Sequence, residues 1–152
     1  CTAEYAEMLR RLRDVFPDAG IYADVIVGFP SETEDDFADS CRFIKENALS
    51  GLHVFSFSPR SGTVASAMKQ NPVSAIKDRS LRLHAIDSCL RQNFFKKMEG
   101  KTLQTLILSR SKGKIQGLTS NFLTVDIEDI PAGINPGHIV PARIELPCRG
   151  VL

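Results

Sequence analysis

The chain has 152 residues, 43% hydrophobic and 24% charged, with a formal net charge of +1. This is the composition of a soluble globular protein long enough to bury a real core. No apolar run approaches the ~20 residues needed to cross a bilayer, and the N-terminus lacks a basic region followed by an apolar segment. The expected setting is therefore cytoplasmic, without membrane.

Thr2 is placed to cap a first helix with Tyr5, Met8, Leu9, Leu12 and Phe16 along one face. Pro17-Asp18-Ala19-Gly20 reads as a turn, and Ile21–Val27 as a strand apolar on both faces, interrupted by Asp24. After Gly28-Phe29-Pro30, the run Ser31-Glu32-Thr33-Glu34 reads as a capping box, with Ser31 as the cap and Glu34 reaching back. The helix it opens carries Phe37, Cys41 and Ile44 and is expected to end near Asn47; Leu52–Phe57 is the next strand. Helix, strand, helix, strand argues a parallel α/β unit.

Residues 58–72, rich in Ser, Pro, Gly and Thr, read as a long loop, and such loops are often functional. Ser74 to about Met98 is a long helix with Ile76, Leu83, Ile86, Leu90 and Phe94 on one stripe, stopped at Gly100. Beyond it, 102–109, 115–118, 122–127 and 139–146 read as strands separated by Gly, Asn and Pro turns, which suggests a small antiparallel barrel. The expected class is thus α/β followed by all-β, with domains over 1–99 and 100–152.

Residues 1–55 carry 5 basic and 11 acidic side chains, residues 56–152 carry 14 and 7, so the halves balance at −6 and +7. A basic second half suits a nucleic-acid partner or an ordinary solvated face. Cys1, Cys41, Cys89 and Cys148 are scattered without a Cys-x-x-Cys pair, so neither a zinc site nor an iron–sulfur loop is expected. Reduced, mostly buried thiols are the simpler expectation.

Two segments exceed what packing explains. One is Ala23-Asp24-Val25-Ile26-Val27-Gly28-Phe29-Pro30-Ser31-Glu32-Thr33, followed by Asp35-Asp36-Phe37. A carboxylate in a buried strand needs a partner. Ligands in open α/β sheets sit beyond the strands' carboxyl ends, where Gly28 allows close approach. Taken alone, these residues are more simply read as a structural strand-to-helix turn, with Asp24 bonded to backbone. The other is Leu52-His53-Val54-Phe55-Ser56-Phe57-Ser58-Pro59-Arg60-Ser61-Gly62-Thr63-Val64-Ala65. Here Arg60, just past a strand, is positioned to fork onto a carboxylate or phosphate. His53 reads as a structural strand residue, and Phe55 and Phe57 as core.

Together these motifs resemble the radical S-adenosylmethionine methylthiotransferases. Leu52-His53-Val54-Phe55 and Ser58-x-Arg60 look most like the branch acting on N6-threonylcarbamoyladenosine in tRNA. The resemblance implies that 1–99 is the C-terminal portion of a radical-SAM partial (β/α) barrel. It implies that 100–152 is a TRAM-like RNA-binding β-barrel. The enzyme would use S-adenosylmethionine and two 4Fe-4S clusters to place a methylthio group on an adenosine beside the anticodon. None of the six cluster cysteines is present, so the chain reads as a fragment inactive alone. The resemblance points to Asp24, Ile26, Gly28 and Arg60 for cofactor or substrate. Lys101, Arg110, Lys112 and Lys114 are suited to tRNA phosphates. Ser31 departs from the glycine of many relatives. Two other readings remain open: a stand-alone RNA-binding module, and the end of a different radical-SAM enzyme.

Overall fold

The computed structural model describes residues 2–111, 114–128, 133–146 and 149–151, the side chains of 110, 111, 114, 128 and 149–151 excepted. The elements in order are α1 (Thr2–Val15), β1 (Tyr22–Val27), α2 (Glu34–Glu46), β2 (Gly51–Ser56), α3 (Val64–Ala67), α4 (Val73–Met98), β3 (Thr102–Ser111), β4 (Lys114–Thr119), β5 (Thr124–Glu128), β6 (Ile139–Glu145) and β7 (Arg149–Val151). They form two compact units: Cys1–Val15 with Ile21–Gln92, and Phe16–Gly20 with Asn93–Leu152. No helix among the described residues is long and apolar enough to cross a membrane.

In the first unit β1 and β2 pair in parallel, Tyr22 opposite Gly51 through Val27 opposite Ser56. The period of two divides their side chains. Ala23, Val25 and Val27 join Leu52 and Val54 in a core completed by Leu9, Phe37, Ile44, Leu49, Leu83 and Leu90. The other face, bearing Asp24, Ile26, His53 and Phe55, is exposed. β1 is therefore not buried on both faces, and Asp24, being exposed, needs no buried partner.

The two edges of this sheet differ. At β2 the Asp87 carboxylate accepts the Leu52 N–H at 2.6 Å, and Arg91 donates to the Leu52 carbonyl at 2.9 Å. Arg91 also bonds Asp87 at 2.9 Å, so one α4 ion pair supplies the acceptor and donor that a neighbouring strand would offer. β1, by contrast, has β2 as its sole strand partner among the described residues. A groove of about 500 Å³ lies there, lined by Tyr5, Ala23, Val25, Phe43 and Leu49, with the Tyr5 and Phe43 rings stacked at 5.8 Å.

The capping box sits two residues later than expected. Thr33 is the N-cap, its hydroxyl accepts the Asp36 N–H, and Asp36 reaches back. Residues 28–32 are used for a turn instead, in which the Glu32 N–H meets the Phe29 carbonyl at 2.9 Å. The loop after β2 is not wholly irregular, because Thr63 caps the short α3.

The second unit is a closed five-stranded barrel in the order β3-β4-β5-β7-β6. It is not fully antiparallel: β5 and β7 run parallel. An odd number of strands cannot alternate direction around a ring, so closure forces one parallel pair. β7 lacks the apolar alternation that marks the other strands, which is why the sequence did not reveal it. Ile107, Ile115, Leu123, Val125, Ile127 and Ile144 fill the interior, with Phe94, Phe95 and Met98 of α4. Phe94 thus leaves the stripe of Leu83 and Leu90 and serves this core.

Ser31 holds φ +75°, a left-handed backbone that costs a side-chain-bearing residue about 1 kcal/mol. Ser31→Gly is expected to stabilise the chain by about 1 kcal/mol in urea unfolding. A second expectation concerns acid. The Arg82 hydrogen bond holds Glu34 below the usual carboxylate range, and the Thr33 hydroxyl and amide do the same for Asp36. A carboxylate depressed by folding adds stability that is present above the unfolded value, near pH 4, and is lost as pH falls through the depressed one. Urea midpoints should drop below pH 4, and by less in Asp36→Asn; an equal drop in that variant would remove Asp36 from the account.

Candidate functional site

The carboxyl ends of β1 and β2 carry an unusual amount of exposed apolar surface. Ile26 is 54% exposed, Phe55 52% and Phe29 46%. Phe29 meets Phe57 edge to face at 5.3 Å. Side chains of this size outside the core mark ligand or partner surfaces when they cluster. Here they border a cleft of about 400 Å³ lined by Ile26, Phe55, Ser56, Phe57, Ser58, Arg60, Thr63 and Ala65.

Local backbone places Arg60 in this cleft. The Thr63 N–H and hydroxyl both bond the Arg60 carbonyl, at 3.2 and 2.8 Å. This closes a turn that passes through Gly62 at φ +83°. The Arg60 side chain is exposed, and its guanidinium takes part in no ion pair among the described residues. A cation lining the same cleft as apolar side chains and hydroxyls suits a ligand with a flat apolar part and a carboxylate or phosphate.

Of the residues singled out from the sequence, Ile26 and Arg60 meet in this cleft. Asp24 shares the exposed face with Ile26, two residues earlier, and borders the groove at the open β1 edge instead. Gly28 is buried, and its glycine has a packing cause: a Cβ there would stand 2.4 Å from Cγ1 of Ile76, at φ +77°. Its N–H is taken by Glu32 Oε2 at 2.7 Å. Arg79 in turn donates to that same oxygen at 2.7 Å and to the Glu32 carbonyl at 3.1 Å. The sequence motif included Glu32 but gave no sign of its partner, 47 residues away. His53, taken as structural, is exposed on the same face as Asp24, its register partner, with the Tyr22 ring 6.0 Å away. Burial raises the Tyr22 hydroxyl above its ordinary value. Phe55 is not core.

In the barrel, Lys101 is ion-paired with Asp18. Arg110 and Lys114 lie on β3 and β4 with side chains outside the described residues, as does all of Lys112. Phe122, at φ +67° in the β4–β5 turn, is 64% exposed, so this unit does present an aromatic ring to solvent. Cys41 is half-buried, which raises its thiol, and Cys89 is exposed rather than buried. Cys1 and Cys148 lie outside the described residues. Among those described, no three His, Cys, Asp or Glu side chains cluster to hold a metal.

No protein-family model matches the chain. It is 36% identical over 113 residues to the tRNA-2-methylthio-N(6)-dimethylallyladenosine synthase of Bifidobacterium adolescentis, a match covering 74% of this chain and 24% of that protein. The Bacillus subtilis protein of the same name is 32% identical over 145 residues, covering 93% and 28%. The Pyrococcus horikoshii protein named "Probable threonylcarbamoyladenosine tRNA methylthiotransferase" is 35% identical over 120 residues, covering 78% and 28%. Homologues of this chain are therefore tRNA methylthiotransferases. The chain spans about a quarter of the length of the curated relatives it matches.

Gly28→Ala should destabilise the first unit by about 2–4 kcal/mol, combining the left-handed backbone with the Ile76 collision. Adding Ile76→Ala should recover part of that loss in denaturant unfolding. If Gly28→Ala proves neutral, close packing against α4 is not what requires the glycine.

Proposed function

We propose that this chain is part of a tRNA methylthiotransferase, contributing one wall of its cofactor and substrate pocket and a barrel that holds RNA. The observation that carries the reading is the cleft joining Ile26 of the first motif to Arg60 of the second. Its floor of Ile26 and Phe55 fits a flat base, and Arg60 fits a carboxylate. S-adenosylmethionine has both groups, and so does a threonylcarbamoylated adenosine. When bound, S-adenosylmethionine together with an iron–sulfur cluster supplies the radical chemistry of such enzymes. The described cysteines here do not fit a cluster, being one half-buried and one exposed thiol on separate helices. This chain's own part is to bind and orient.

The open β1 edge supports a sheet continued by further parallel strands, as a partial (β/α) barrel of the radical-SAM kind requires. The sealed β2 edge suits its last strand. Substrate choice is N6-threonylcarbamoyladenosine rather than the dimethylallyl compound. Support comes from the His53-bearing motif, from the archaeal relative's name, and from a face on which Asp24 and His53 offer polar groups beside the apolar floor. The second unit is a TRAM-like barrel, in which Lys101, Arg110, Lys112 and Lys114 make phosphate contacts.

The complete gene product, expressed in a bacterial strain lacking methylthiolated adenosines, tests this directly through mass spectrometry of tRNA nucleosides. The 2-methylthio derivative of threonylcarbamoyladenosine should appear, and Arg60→Ala should lower it at least about tenfold. Methylthiolated dimethylallyladenosine in its place would overturn the substrate assignment but leave the class. Neither product would overturn both.

A further inference from the structure

The strand-end turn over residues 28–32 is held from outside by one residue of α4. Arg79 is nearly buried, with its side chain 7% exposed, and its partner Glu32 is 14% exposed. The Glu32 Oε2 atom accepts two bonds at once, from the Gly28 N–H and from the Arg79 guanidinium, each at 2.7 Å. Arg79 adds a bond to the Glu32 carbonyl at 3.1 Å and a longer one to Glu34 at 3.4 Å. The turn is thereby gripped by side chain and main chain from a single cation. Asn71 supplies a second hold, donating to the Phe29 carbonyl at 2.7 Å.

General stability does not account for this arrangement. A buried ion pair is often no more stabilising than apolar side chains of the same volume. What it adds is direction. The carboxylate fixes where the Gly28 N–H points, and so where the chain leaves β1. Ile26, the apolar floor of the cleft, lies two residues before Gly28, and Phe29 one residue after it.

We propose that Arg79 is a positioning residue of the pocket, acting through Glu32 to fix the Gly28 turn and thereby the Ile26 end of the cleft. This deepens the reading of the cleft as a cofactor and substrate pocket, assigning S-adenosylmethionine to its Ile26 end, and rests on that reading. Arg79 is nearly buried and does not line the cleft; its role is to prevent the pocket wall from sampling other turn conformations. Loss of the grip should therefore weaken cofactor binding, while chemistry in the filled site continues.

The test uses Arg79→Lys, Arg79→Met and Glu32→Gln. Lys keeps the charge but not the fork, Met removes both, and Gln keeps an acceptor for Gly28 while losing the ion pair. In the full chain, amide hydrogen exchange at Gly28 and Phe29 should rise about tenfold in Arg79→Met and less in Arg79→Lys. Amides of the barrel strands should stay unchanged. In the complete, anaerobically reconstituted gene product, KM for S-adenosylmethionine should rise about tenfold, with kcat within about twofold and Arg79→Lys intermediate. Unchanged exchange at Gly28 in both Arg79 variants would overturn the proposal. So would a fall in kcat at unchanged KM. Should Arg79→Met fail to fold, Arg79→Lys and Glu32→Gln carry the comparison. A wild-type gene product that binds no S-adenosylmethionine would sink the pocket reading itself, and exchange at Gly28 would still decide whether Arg79 grips the turn.

Discussion

The carboxylate of Glu32 is the point on which the first unit's working end depends. It receives a backbone N–H from the end of β1 and a guanidinium from α4. One side chain thus joins a strand, a turn and a helix that are far apart in sequence. Removing one partner of such a pair leaves the other charge largely desolvated and uncompensated. The nearby features follow from that anchoring. Gly28 takes a left-handed backbone close against Ile76, Ser31 is forced into the same region, and α2 begins only at Glu34, capped by Thr33. The displaced capping box has a backbone cause: an N-cap residue needs extended backbone, Ser31 is left-handed, and Thr33 is the next hydroxyl with the required conformation.

The sheet shows the same economy in a different form. An exposed strand edge invites another strand, and this molecule treats its two edges oppositely. At β2, Asp87 and Arg91 satisfy Leu52 as a strand would. At β1, a groove with stacked aromatic rings lies beside an edge that no described strand covers. Backbone groups left to water are tolerable, but half-exposed Tyr5, Met8 and Leu12 along α1 are a poor match for a finished surface. The asymmetry lies in how the edges are satisfied: Leu52 of β2 by side chains of α4, and β1 by no described strand.

How far the sequence revealed this can be traced residue by residue. Hydrophobic period located α2, α4, both parallel strands and four of the barrel strands, because each buries one regular face. It failed where spacing is not the governing force. β7 is three residues long and is defined by closure of the ring, a property of the whole barrel. Phe94 fits the α4 stripe by period, yet a helix long enough to serve two cores changes partner along its length. Asp24, His53 and Phe55 were read as needing burial or a partner, on the premise of a sheet covered on both faces. One face is open, so all three are exposed. Arg79 was invisible because nothing local distinguishes it from the other basic residues of α4; only the fold brings it to Glu32.

Gly28 and Arg60 stand on different footing as indicators of function. The glycine was read as a device for close ligand approach, and turn and packing supply a reason of their own: a chain with this strand, this turn and Ile76 beside it calls for a glycine there. Its presence therefore speaks for the fold before it speaks for chemistry. Arg60 is the reverse case. Among the described residues no ion pair holds its guanidinium and no core covers it, and its backbone turn would form with many other residues at that position. Packing among the described residues gives no reason for a cation beside this apolar cleft, and that is the support it lends to the proposed ligand site. Among the residues drawn together at the strand ends, Arg60 is one whose identity the fold leaves free, which is why the proposed function sets a ligand's charge there.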